Sequence, residues 1–200
     1  MAFRTNYGRN QGASLGPLGF LIVANVIVFI VTSVRPDLIN LLGLSRDSIL
    51  SQPWTIVTNM FVHANFLHIL TNMLTLYFYG SYLINLMGEK NFFLVYFLGG
   101  LLGNIVYLFL ANPFTIAIVA SGAIFAVGGA LAVLRPKLKV FIIPIPIPIP
   151  LWVAVIGGFL LMTPAFLGLG NGIAWQAHLG GLALGLAAGY YFRKKTSIYF

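Results

Sequence analysis

The chain has 200 residues, 60% of them hydrophobic and 7% charged. That is too few polar groups to cover a water-soluble surface, so the sequence belongs in lipid as one membrane domain. A net charge of +8 does not point to nucleic acid, because the basic residues stand in breaks between apolar runs and form no groove with interleaved aromatics. The absence of cysteine removes disulfides, thiolate metal sites and a cysteine nucleophile together.

Crossing the roughly 30 Å hydrocarbon core takes about 20 helical residues. Six apolar runs, 17–34, 66–87, 91–111, 121–134, 151–166 and 176–192, are read as spans of an all-α membrane bundle, the fourth and fifth being short. The first run follows Arg4 and Arg9 without a small-residue cleavage site and is expected to be retained. The domain is thus 17–192, with tails 1–16 and 193–200 on one side of the membrane. Nine Lys and Arg fall on that side (Arg4, Arg9, Lys90, Arg135, Lys137, Lys139, Arg193, Lys194, Lys195), against Arg35 and Arg46 on the other. The bias makes both termini cytoplasmic. Residues 35–65 form a long extracytoplasmic first loop, whose apolar patches are too short to span and lie along the interface. Residues 144–150 read Pro-Ile-Pro-Ile-Pro-Ile-Pro, expected to be extended or polyproline and to lead stiffly into the fifth span. A docking site for a proline-reading domain is the weaker reading, since a strand beside the bilayer is hard to reach.

Ser121 opens the fourth span and lies 14 residues before Arg135, about 21 Å of helix. With Arg135 at the cytoplasmic surface, Ser121 falls about 9 Å inside the outer edge of the hydrocarbon, at a helix N-terminus reached by a loop that lines a wet pocket. His178 precedes Arg193 by 15 residues, which gives it the same depth. A hydroxyl needs a base to become a nucleophile, and histidine suits that task near neutrality. The alternative is that Ser121 caps a helix and His178 bonds a carbonyl. Gly181, Gly185 and Gly189 line one helical face, as do Gly122, Ala126 and Ala130, so two smooth faces can bring hydroxyl and imidazole together. Phe125, one turn on, is placed to support the ring.

His63, His68 and Asn72 enter the second span from its extracytoplasmic end. His68 and Asn72, four apart, can aim two donors at one point, as a developing oxyanion requires. An interhelical hydrogen bond is the plain alternative. Asp37, Asp47 and Glu89 are the only acids, and none lies within a span. Metal co-ligands, an aspartyl pair and a His-Glu-x-x-His helix are therefore missing, and no metal or cofactor is expected.

These residues resemble the rhomboid intramembrane proteases at three places in the right order, over roughly residues 54–190. His63-x4-His68-x3-Asn72 is similar to the second-span motif, Ala120-Ser121-Gly122-Ala123-Ile124-Phe125 to the nucleophile motif, and Ala177-His178-x2-Gly181-x3-Gly185 to the base motif. Val119 stands where that family usually has glycine, and Thr55 where it usually has arginine after Trp54. The resemblance implies a prokaryotic-type six-helix core with a water-filled site open to the extracytoplasmic side, in the plasma membrane of a prokaryote. It implies Ser121 as nucleophile, His178 as general base and then acid, and an oxyanion hole from His68, Asn72 and the Ser121 backbone N–H. The substrates it implies are single-span membrane proteins cut near a small residue, with the fifth span and the loop before His178 gating entry. Two rivals stand beside this reading. One is a catalytically silent member of the same fold that binds membrane clients; the other is a small transporter, which would want half-helices or midplane charges that the sequence lacks.

Overall fold

The computed structural model describes residues 16–142, 145–162 and 174–196. Six longer helices carry the architecture: α1 (Pro17–Val34), α4 (Phe66–Met87), α5 (Glu89–Leu110), α6 (Ala120–Leu134), α7 (Leu151–Met162) and α8 (Trp175–Thr196). Two short helices, α2 (Leu38–Leu42) and α3 (Thr55–Thr58), and a 3-10 turn at Asn59–Phe61 fold the first loop. By length and composition, α1 and α5 can cross a membrane, while α6 and residues 151–161 are shorter apolar helices. Residues 1–15, 143–144, 163–173 and 197–200 lie outside the described residues, and with them the placement of Arg4 and Arg9 and the gating expected before His178.

Local chemistry explains the ends. Pro17 at the first turn of α1 has the φ a helix needs and no N–H to leave unpaired. Asn65 caps α4, its side-chain oxygen accepting the His68 N–H at 2.9 Å. Gly88, at φ 80°, joins α4 to α5 alone, a left-handed turn that a side chain would strain.

α6 is the axis of the molecule. All of its residues except Phe125 and Val133 are buried, and α4, α5, α7 and α8 pack around it. Small residues permit this. A Cβ on Gly181 would strike the Gly122 carbonyl and one on Gly185 the Ala126 carbonyl, while on Gly189 it would lie 2.7 Å from the Ala130 oxygen. The two faces read as smooth in the sequence therefore meet backbone to backbone. α5 adds a third face: Gly99 is in contact with Ala126, and Gly103 lies so near the Ala177 carbonyl that a Cβ would come within 2.5 Å.

The first loop is braced by neutral hydrogen bonds. The Trp54 indole N–H donates to Leu41 O at 2.9 Å and the Thr58 hydroxyl to Leu42 O at 2.7 Å. Thr55 is fully buried, its hydroxyl donating to Gln52 O at 2.6 Å. An arginine at Thr55 would have to bury its charge here.

After α6 the chain forms an antiparallel hairpin, β1 (Lys139–Ile142) with β2 (Ile145–Pro150), in which Val140 faces Ile149 and Lys139 faces Pro150. The proline-rich stretch is extended, as expected, but paired, which its composition did not suggest. Leu151 N–H donates to Leu138 O at 2.7 Å, so by alternation Pro150 turns its nitrogen away from β1, where no donor is needed.

Candidate active site

Four segments converge at the end of the bundle where α6 begins. The first loop meets the 111–119 connection through a two-way backbone bridge between Leu44 and Ala117, 3.0 and 2.7 Å. Val119, buried, donates its N–H to Asn59 O at 3.2 Å and sits at the N-cap of α6. No side chain caps this helix; in its first turn the Gly122 N–H donates to Val119 O at 3.4 Å, while the N–H groups of Ala120 and Ser121 have no intrahelical acceptor.

Ser121 Oγ and His178 Nε2 are 2.5 Å apart and buried, joining α6 to α8 across 57 residues. Phe125 flanks the imidazole with ring centroids 4.7 Å apart. Nδ1 of His178 is buried with no hydrogen-bond partner among the described residues. With Nε2 facing the hydroxyl as acceptor, the neutral ring carries its proton on Nδ1, and no acidic group among the described residues bonds it there.

Beside Ser121 lies a cavity of about 260 Å³ between α4, α6 and α7, lined by Thr71, Asn72, Thr75, Phe125 and Gly158 among others. Asn72 is buried, its Nδ2 has no hydrogen-bond partner among the described residues, and the residue lines the cavity next to the hydroxyl. His68 is half-buried, with Nδ1 accepting the Ala64 N–H at 3.4 Å, and it does not line the cavity. His63 is buried behind it, its ring 5.2 Å from His68 and edge-on. It supports His68 and stays away from the cavity. Gly122, Gly181 and Gly185 contribute to the seam and do not contact the imidazole as donors or acceptors. No group of three or more potential metal ligands occurs among the described residues.

Two residues that the sequence reading passed over complete the site. Asn59 and Asn104 exchange reciprocal amide hydrogen bonds at 3.0 and 2.9 Å, and Asn104 Nδ2 also donates to Ile56 O at 2.7 Å. Both are buried. Since the Asn59 carbonyl holds Val119, this pair fixes the approach to Ser121 from α5. The sequence offered one signal, a pair of buried amides in otherwise apolar surroundings, which demand partners.

A family model described as the Rhomboid domain matches residues 50–195. Rhomboid protein 1, mitochondrial, of Saccharomyces cerevisiae is 32% identical over 161 residues, 76% of this chain and 45% of that protein. Rhomboid-like protease 3 of Toxoplasma gondii is 27% identical over 88% of this chain and 69% of its own length. Rhomboid protease GlpG of Haemophilus influenzae is 27% identical over 143 residues, 70% of each chain. The chain spans less than half of the yeast protein and about two thirds of the other two.

Proposed function

The chain belongs to the rhomboid family of integral membrane proteins, and on that premise we propose that it is an intramembrane serine endopeptidase that cuts membrane-protein substrates with Ser121 and His178. The observation that carries this reading is the buried 2.5 Å contact between Oγ and Nε2. His178 Nε2 takes the Ser121 proton as Oγ adds to the scissile carbonyl. The oxyanion is met by the Ser121 N–H, by Asn72 Nδ2 and by His68 after a small turn of its ring, with the positive end of α6 behind them. Collapse breaks the C–N bond, and the imidazolium gives its proton to the leaving amine. Water, activated by the same ring, then hydrolyses the acyl-serine. Single-span proteins cut near a small residue are the proposed substrates, because such a helix unwinds most readily.

In this reading all six long helices cross the bilayer, α6 and α7 incompletely. The bundle end carrying Lys90, Lys137, Lys139 and Lys195 faces the cytoplasm, both termini with it, and the proposed setting is the plasma membrane of a prokaryote. The silent, client-binding alternative is disfavoured by the intact Ser121–His178 contact.

The test is labelling of detergent-solubilised protein with a fluorophosphonate, comparing the native chain with Ser121→Ala and His178→Ala. Labelling of the native chain alone establishes an activated serine. A folded native chain that takes no label overturns the protease reading in favour of client binding.

A further inference from the structure

The hairpin between α6 and α7 has two unlike faces. Leu138 and Val140 pack into the main core, and the residues alternating with them, Lys137, Lys139 and Phe141, are exposed, Phe141 at 71%. Trp152, on the first turn of α7, is 51% exposed. Lysines interleaved with exposed aromatics at the end of a bundle fit a headgroup boundary, where the rings sit among acyl carbonyls and the ammonium groups reach phosphate.

Charge is divided unevenly between the two ends. Among the described residues, the hairpin end carries seven Lys and Arg and one acid, Glu89, whereas the opposite end carries Arg35 and Arg46 with Asp37 and Asp47. Arg35 and Asp37 are paired there by two hydrogen bonds of 2.9 and 2.8 Å, and the guanidinium holds the Asp37 carboxyl below its usual range. The active-site end is therefore near neutral and the hairpin end strongly basic. Strand addition by a protein partner does not suit the free edge of β2, because Pro148 and Pro150 leave no N–H there to donate.

We propose that the outer face of this hairpin binds the headgroups of anionic phospholipids through Lys137 and Lys139, with Phe141 and Trp152 seated at the headgroup–acyl boundary. β2 ends at Pro150 and α7 begins at Leu151, so no linker separates the lipid contact from α7, which forms one wall of the cavity through Ala154, Val155 and Gly158. The contact fixes that wall from its far end. This inference rests on the spanning arrangement proposed above and not on catalysis.

The experiment uses the full chain carrying Trp54→Phe and Trp175→Phe, which leaves Trp152 as the sole tryptophan, reconstituted into phosphatidylcholine vesicles containing a minor fraction of brominated phosphatidylglycerol or brominated phosphatidylcholine. Trp152 fluorescence is expected to be quenched preferentially by the anionic lipid. The preference should fall about fivefold for each lysine removed in Lys137→Gln and Lys139→Gln, and persist in the corresponding arginine variants. Equal quenching by the two lipids, or none, overturns the proposal. Retention of the protein in carbonate-washed membranes reports separately on the spanning arrangement. If the double phenylalanine variant fails to fold, the ratio of anionic to zwitterionic lipid co-purifying with the native chain and with the glutamine variants gives the same decision.

Discussion

α8 and α7 approach α6 in opposite ways. Along α8 the contact is backbone on backbone, with the Gly122 and Ala126 carbonyls occupying the places where side chains of Gly181 and Gly185 would be. Along α7 a Cβ on Gly157 or Gly158 would meet nothing within 4 Å, and Leu161 is 81% exposed. The first seam holds Ser121 and His178 at hydrogen-bond distance, and the second leaves space beside them. Chemistry needs a separation fixed to a few tenths of an ångström, whereas a substrate chain needs room to enter. On the proposed function, the molecule meets these demands on two faces of α6, one packed by α8 and one by α7.

The contrast breaks most completely at the tight seam. Gly181→Val must push α8 away from α6, at a cost of about 1–3 kcal/mol, and should abolish fluorophosphonate labelling. A variant that labels normally would show that the seam does not set the dyad distance. Next comes the oxyanion site: Asn72→Ala should lower kcat by about 100-fold while leaving thermal unfolding near that of the native chain. Equal loss in kcat and stability would recast Asn72 as a packing residue. Acidification tests the base in the same range of effect. Only neutral imidazole can accept the Ser121 proton, so kcat/KM should fall about tenfold per pH unit once His178 is protonated; a profile with no acid limb at any pH at which the chain stays folded removes His178 from that role. Asn104→Ala strands the buried Asn59 amide and should cost about 1–3 kcal/mol, with a loss of about tenfold in kcat through the displaced Val119. Smallest of all, Gly157→Ala should leave activity unchanged and raise stability by about 0.5–1 kcal/mol, since the methyl enters open space on a helix. A large loss of activity there would mean that the α7 side is as constrained as the α8 side.

How much of this was readable before the structure depended on the range of the interaction. Helices α1 and α4 begin and end at the residues the apolar runs gave, 17–34 and 66–87, because a hydrophobic run, a capping Asn65 and a turn at Gly88 are all local signals. α5 starts two residues earlier than expected, at Glu89, since a single glycine suffices for the reversal. The Ser121–His178 pairing was legible although 57 residues separate them, because a basic flank marks the depth of each. Nothing comparable marks Asn59 and Asn104, whose partnership depends on how the first loop folds over α5. The Leu44–Ala117 bridge was hidden for the same reason. In the proline-rich strand the sequence advertises missing donors, but every second residue of a hairpin strand needs none on its partner's side, so pairing with Lys139–Ile142 was masked by the very residues that tolerate it.

The partner of Ser121 arrives on α8, and this has a bearing on biosynthesis. A nascent chain that has threaded only as far as α7 holds Ser121 without its hydrogen-bond partner His178, and an open furrow where Gly181 and Gly185 will later lie. On the proposed function, reactivity begins when the α8 furrow is filled, so an emerging chain would not cut its neighbours before its own bundle is complete.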